Sequence, residues 1–196
     1  LRRLDESAEI IVLERGEAIS YANCGLPYYI GGVITERNHL FLQTPSAMKK
    51  RFNIEVRTRH EVLRIDRATK ELTIRDLGED RTYTERYDQL VLAVGAAPFV
   101  PKIPGSDASR VFTLRNVADT DRIKNFLDEN AISGAVIAGG GFIGLEMAEN
   151  LIHRGKEVTL VEMASQVLSN LDFEMAAFVH QELRRQGVDL VLGNGL

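Results

Sequence analysis

Cys24 is the sole cysteine of the chain, set in the stretch "ISYANCGLPYYIGG" between an amide side chain and a glycine, with Pro27 three positions on. Thiol chemistry on a disulfide needs the thiolate, and an ordinary thiol, ionising near pH 8.5, is mostly protonated at pH 7. Proline is tolerated in the first turn of a helix, where N–H groups have no partners to lose. "CGLPYYI" therefore predicts a helix that starts with Cys24 at its N-terminus, where the dipole favours an anion by at most about 2 kcal/mol. Full activation then needs a further neighbour, an electron-deficient ring or a cation. The other reading is a buried structural cysteine, because free cysteine is among the most buried residue types. These residues alone leave both open.

A second group of residues has spacing that suits phosphate binding. Gly139, Gly141 and Gly144 fit G-x-G-x-x-G, after the apolar run Ala135 to Ala138 and before a helical pattern from Phe142 to His153. The strand "VTLVE" then ends in Glu162, roughly 20 residues on, where a dinucleotide fold puts the acid that binds a ribose. The first glycine permits the tight turn, the second lets backbone approach a pyrophosphate, and the third allows close helix–strand packing. Free N–H groups of the helix, Ile143 included, then face the phosphates. Glu162 would accept hydrogen bonds from a ribose diol and repel a 2′-phosphate, favouring NADH over NADPH. A packing turn with an unrelated glutamate is the competing reading, and Rossmann methyltransferases share the pattern. Glu14 echoes Glu162 at the end of another apolar strand, either as the acid of a first dinucleotide unit or as a solvated charge. His39, His60, His153 and His180 lie apart and show no metal-ligand spacing.

The elements that must position these residues follow from pattern and punctuation. Ile10 to Leu13 suits a buried parallel strand. Thr44-Pro45 opens a helix, with threonine as N-cap and proline at the first position. "IEVRTRHEVLRIDRATKELTIRD" alternates and turns, predicting a meander that ends near Asp76. Gln89 to Val94 reads as a buried strand leaving into a loop with Gly95, Pro98, Pro101 and Pro104, where proline excludes helix and central strand. A domain boundary is expected near Asn116. Beyond it come the helix "DTDRIKNFLDEN", the strand–turn–helix–strand of the glycine motif, and an amphipathic helix "LDFEMAAFVHQELRRQG" stopped by Gly187. Alternating strands and helices imply an α/β fold with parallel sheets. The expectation is two Rossmann-like dinucleotide-binding domains, 1–116 and 117–196, both truncated, since Leu1 opens the chain mid-pattern and "VDLVLGNGL" ends on a strand.

Composition sets outer bounds. The 196 residues are 44% hydrophobic and 27% charged with a net charge of −4, ordinary for a globular protein and without the basic patch that nucleic acid requires. Apolar runs are far short of the roughly 20 residues that span a bilayer. One cysteine and no secretory signal lead to an expectation of a cytoplasmic protein.

"SYANCGLPYYIGG" resembles the redox-cysteine segment of coenzyme A-disulfide reductases and NADH-dependent persulfide reductases, within the pyridine nucleotide-disulfide oxidoreductases. The likeness continues through "RRLDESAEIIVLERG", "LQTPSAMKKRFNIEV", "LVLAVGAAPFVPKIPG", "TLRNVADTD" and "GGGFIGLEMAENL", in the family's order. The resemblance implies a flavoenzyme in which NADH, held by the second domain, reduces FAD held by the first. The electrons then pass to a disulfide between Cys24 and coenzyme A, or to a persulfide of Cys24. It implies that Ser20 and Asn23 contact coenzyme A or orient the sulfur, and that Arg3 binds substrate. It makes Glu14, with Arg15 beside it, the acid on the FAD ribose, and Val62 the residue whose backbone holds the adenine. Ala93 and Gly95 fall in the strand-end turn near the flavin, although "AVGA" replaces the commoner "ATGA". Phe142 stands where an aromatic residue often gates the nicotinamide pocket. A homodimer is implied for the whole protein, with no nucleic-acid or membrane partner. The family's first glycine turn and its dimerisation domain have no counterpart here. Two other readings stand beside this one: an NADH oxidase or peroxidase cycling Cys24 through a sulfenic acid, and a non-catalytic nucleotide-binding module.

Overall fold

The computed structural model describes residues 1–195. In chain order the strands and helices are β1 (Ile11–Glu14), β2 (Ser20–Tyr21), α1 (Leu26–Gly31), β3 (Phe41–Gln43), α2 (Pro45–Phe52), β4 (Glu55–Thr58), β5 (His60–Asp66), β6 (Glu71–Asp76), β7 (Arg81–Arg86), α3 (Val117–Glu129), β8 (Gly134–Ala138), α4 (Phe142–His153), β9 (Glu157–Glu162), α5 (Phe173–Arg185) and β10 (Asp189–Leu192). Short 3₁₀ turns cover Asn23–Gly25 and Arg37–Leu40. The mixture is α/β with parallel pairings, as expected. No helix among the described residues is long and apolar enough to cross a membrane.

The described residues form two compact units. The first holds residues 1–22 and 41–96. Its β1 pairs in parallel with β4, Ile11 opposite Glu55 and Glu14 opposite Thr58. Thr44 caps α2, its hydroxyl accepting from the Ala47 N–H at 3.2 Å, with Pro45 in the first turn as the sequence predicts. The meander β5-β6-β7 buries Leu72 and Ile74. It runs one strand beyond the expected end at Asp76. The Asp76 carboxylate accepts from the N–H groups of Gly78 and Glu79, turning the chain back into β7. The sequence pattern does not mark this strand because its inward groups are polar: Arg57 donates to Tyr83 at 3.1 Å and to Glu85. Burial drives strand patterns only where the face is apolar.

Gln89 to Val94 is not the buried strand that its composition predicts. The stretch has no ladder partner, and Val91, Leu92 and Val94 are 66%, 66% and 89% exposed. A parallel strand exists only beside a neighbour that takes its N–H and C=O groups, and no described strand does so.

The second unit holds residues 23–40 and 97–195. Its sheet has the order β10-β9-β8, all parallel, with α4 linking β8 to β9. Asn116 and Asp119 form a capping box at the start of α3. Gly187, at φ 86°, closes α5. The cysteine segment joins this unit because α1 buries Leu26, Pro27 and Ile30. Ile30 enters the core with Ile123, Leu127, Met147 and Leu151. Gly31 lies so close to α4 that a Cβ there would meet the Asn150 side chain. Arg37 forks onto the Asp121 carboxylate at 2.8–3.0 Å, and Arg154 donates to the Ile30 carbonyl at 3.2 Å. These contacts pin both ends of the segment that carries Cys24.

Candidate functional site

The glycine turn is built as a cradle. Gly139, at φ 108°, takes a conformation that side chains rarely adopt, and its N–H donates to the Val161 carbonyl at 2.9 Å. A Cβ on Gly144 would lie 2.0 Å from the Gly139 carbonyl oxygen, so the first turn of α4 rests directly on the loop. A Cβ on Gly141 would meet no atom within 4 Å. Backbone is thus accessible at Gly141, beside the first N–H groups of a 12-residue helix, which have no intrahelical acceptor and no side-chain cap. Phe142 and Ile143, 63% and 55% exposed, stand at that helix start rather than in the core.

Glu162, the last residue of β9, reaches back to this loop. Its Oε2 accepts from the Gly140 N–H at 2.6 Å and its Oε1 from the Ala164 N–H at 2.7 Å. These bonds, Ala164 first and Gly140 next, hold its carboxyl below the usual carboxylate range despite opposing burial. An ionised acceptor pair is what a ribose diol needs. Sequence reasoning passed over Gly140 itself. A Cβ there would come within 2.8 Å of Val167, and the available signal was the unbroken glycine run 139–141.

Cys24 is exposed, which removes the reading of a buried structural thiol. It lies in the 3₁₀ turn Asn23–Gly25, one residue before the Gly25 N-cap of α1, rather than on the helix itself. With only six residues in α1 the dipole contributes little. Beside it Asn23 Oδ1 accepts from Arg115 Nη1 at 3.4 Å, and the Tyr28 hydroxyl donates to Glu149 Oε2 at 3.4 Å. Glu149 foremost, with burial and Glu146, pushes the Tyr28 hydroxyl above its ordinary value. A small disulfide can reach the sulfur.

In the first unit, Glu14 ends β1 and its Oε1 accepts from the Gly16 N–H at 2.6 Å, parallel in form to Glu162. Arg15 pairs with Glu61 at 3.5 Å, next to the exposed Val62 on β5. Ser20 pairs with Gln43 across β2 and β3, and Arg3 is exposed near the chain start. Ala93 and Gly95, the latter at φ 68°, lie in the stretch without strand pairing, so no ladder joins them to Glu14.

The family model for pyridine nucleotide-disulphide oxidoreductases matches residues 1–196. The chain belongs to this family. Among curated members it is 37% identical over 183 residues to the coenzyme A disulfide reductase of Staphylococcus haemolyticus, covering 93% of this chain and 41% of that protein. It is 36% identical over 197 residues to an NADH oxidase of Methanocaldococcus jannaschii, covering 100% of this chain and 44% of that protein. Among solved members, the crystal structure of reduced Bacillus anthracis CoADR-RHD superposes with a TM-score of 0.96 at 56% identity, over 100% of this chain and 35% of that one. The chain thus spans less than half the length of the relatives it matches.

For this family member the cofactor fit differs between the units. The second unit brings together open backbone at Gly141, a helix N-terminus and a Glu162 carboxyl held in its ionised form, features that fit a dinucleotide. The first unit offers Glu14 for a ribose, but no glycine turn leads into a helix among its described residues. It fits the ribose end of an FAD and not the pyrophosphate.

Proposed function

We propose that this chain is the nicotinamide- and cysteine-bearing part of an FAD-dependent NAD(P)H oxidoreductase that reduces coenzyme A disulfide at Cys24. The carrying observation is the exposed Cys24 seated in the unit that bears the Gly139–Gly144 cradle. The likeness to coenzyme A disulfide reductases supports the same reading. By sequence order, residues 1–116 take the FAD-binding role and 117–196 the NAD-binding role, with residues 23–40 and 97–116 packing in the compact unit that bears the glycine cradle. Gly139, Gly141 and Gly144 shape the pyrophosphate site, the N–H groups of Phe142 and Ile143 face it, and Glu162 holds the adenosine ribose, which favours NADH over NADPH. Glu14, Arg15, Val62, Ala93 and Gly95 serve the FAD side.

The thiolate of Cys24 attacks one sulfur of the disulfide, forms a mixed disulfide and releases one coenzyme A thiolate. A bound FAD would supply the two-electron link between NADH and that mixed disulfide. The second coenzyme A leaves, the thiolate is restored, and the sum is one disulfide, one NADH and one proton giving two thiols and NAD⁺. Asn23, adjacent to Cys24 in the same turn, orients the sulfur. The whole protein acts as a cytoplasmic homodimer without nucleic acid or membrane.

Cys24→Ser in the full-length protein is expected to lower coenzyme A disulfide-dependent NADH oxidation at least about a thousandfold, the scale of losing a nucleophile. Retained turnover contradicts the assignment. Likeness to an NADH oxidase favours a second reading, in which Cys24 cycles through a sulfenic acid with oxygen or peroxide as acceptor. Comparing NADH consumption with coenzyme A disulfide, oxygen and peroxide separates the two.

A further inference from the structure

The glycine cradle is held from behind by a histidine outside every motif. The segment 163–171, between β9 and α5, wedges under the turn. Val167 is fully buried against Gly140, and the Leu168 N–H donates to the Gly140 carbonyl at 2.9 Å. Gly140 is therefore gripped on both sides, its N–H by Glu162 and its C=O by Leu168. The wedge is in turn tied to α5, where His180, only 6% exposed, accepts the Val167 N–H on Nε2 at 3.1 Å. That acceptor role puts the neutral ring's proton on Nδ1.

We infer that His180 is a positioning residue for nucleotide binding: its neutral imidazole holds Val167, and through it Gly140, so that the backbone of the cradle is set for a pyrophosphate. Protonation of Nε2 would turn the acceptor into a donor facing another donor and break the tie. Burial first, then the charge of Arg184 one turn along α5, holds the ring below the usual histidine range. The other elements around it supply little charge. The 163–171 segment contains no titratable residue, Asp189 of β10 lies by the Thr159 hydroxyl, and Glu146 and Glu149 of α4 lie by Tyr28. The neutral ring thus persists at pH 7 and yields on acidification. This role rests on the proposed nucleotide site at Gly139–Gly144.

ADP-ribose carries the pyrophosphate and ribose without the reducing ring, so its affinity can be measured on the oxidised full-length holoenzyme from pH 7.5 down to about pH 4.5, above the range in which Glu162 titrates. His180→Gln keeps an uncharged acceptor near the Nε2 position, whereas His180→Leu removes it. Wild type is expected to lose affinity about 2- to 10-fold on acidification, the worth of one buried hydrogen bond. His180→Gln should stay flat across that range, and His180→Leu should be weak at both ends. Amide exchange at Gly140 and Val167, compared between variants at one pH, should be faster in His180→Leu than in His180→Gln. Equal pH profiles in wild type and His180→Gln, or unchanged exchange in a folded His180→Leu, overturn the inference. Failure of the wild type to bind ADP-ribose at pH 7.5 overturns the nucleotide site itself, and this role with it.

Discussion

At the scale of single residues, the three motif glycines carry separable burdens. Gly144 is constrained by packing, since a side chain there meets the Gly139 carbonyl, while Gly141 is constrained only by what approaches it. Gly144→Val is expected to destabilise the full-length protein by about 1–3 kcal/mol through overpacking. Gly141→Ala is expected to leave stability within about 0.5 kcal/mol while weakening NADH binding, because its methyl fills the space a phosphate would use. Thermal melts paired with NADH titrations check both, and a Gly141→Ala protein that binds normally would remove the cradle from the account. Glu162 adds a pH dependence of known sign. Its folded carboxyl titrates below the ordinary 4.5 because it accepts the Ala164 and Gly140 N–H bonds. The stability it contributes is therefore present above that unfolded value and lost as pH falls through the folded one. Urea midpoints recorded from pH 7 to pH 3 should fall less steeply in Glu162→Gln than in wild type at the acid end.

At the scale of elements, the mounting of α1 is the decisive feature. Arg37 on Asp121, Arg154 on the Ile30 carbonyl and the near contact of Gly31 with Asn150 fix the cysteine turn to α3 and α4. Gly31→Ala drives a methyl into a side chain that is 1% exposed and is expected to cost about 1–3 kcal/mol. Tm should then fall by roughly 2–4 °C per kcal/mol, and an unchanged melt would mean that α1 is not tightly docked. Much of this was legible in the sequence. The capped start of α2, the bounds of α4 and the strand ending in Glu162 follow from punctuation and period, and the glycine motif was readable from spacing. What could not be read was tertiary. β7 hides its register in an Arg57–Tyr83–Glu85 cluster, and Gln89–Val94 is apolar but unpaired. The docking of α1 depends on residues some 120 positions away. His180 showed no pattern at all, because its work is one hydrogen bond to a backbone N–H.

At the scale of the whole molecule, the chain covers about two fifths of its curated relatives, so the reaction must be tested on the complete protein. The exposed apolar run Val91, Leu92 and Val94 also bears on this level, since strand-forming residues without a ladder partner favour association. Lysine at Val91 and Leu92 is expected to raise the solubility of residues 1–196 expressed alone, measured by sedimentation; no gain would show that the run does not drive association. The reading proposed for Cys24 is that it takes one coenzyme A into a mixed disulfide and releases it as the thiol when NADH supplies two electrons. Intact-mass analysis of the full-length holoenzyme after treatment with coenzyme A disulfide tests it most directly. One coenzyme A adduct, mapped to Cys24 and lost on adding NADH, is the expected result. No adduct, or an adduct on Cys24 that NADH leaves in place, would contradict it.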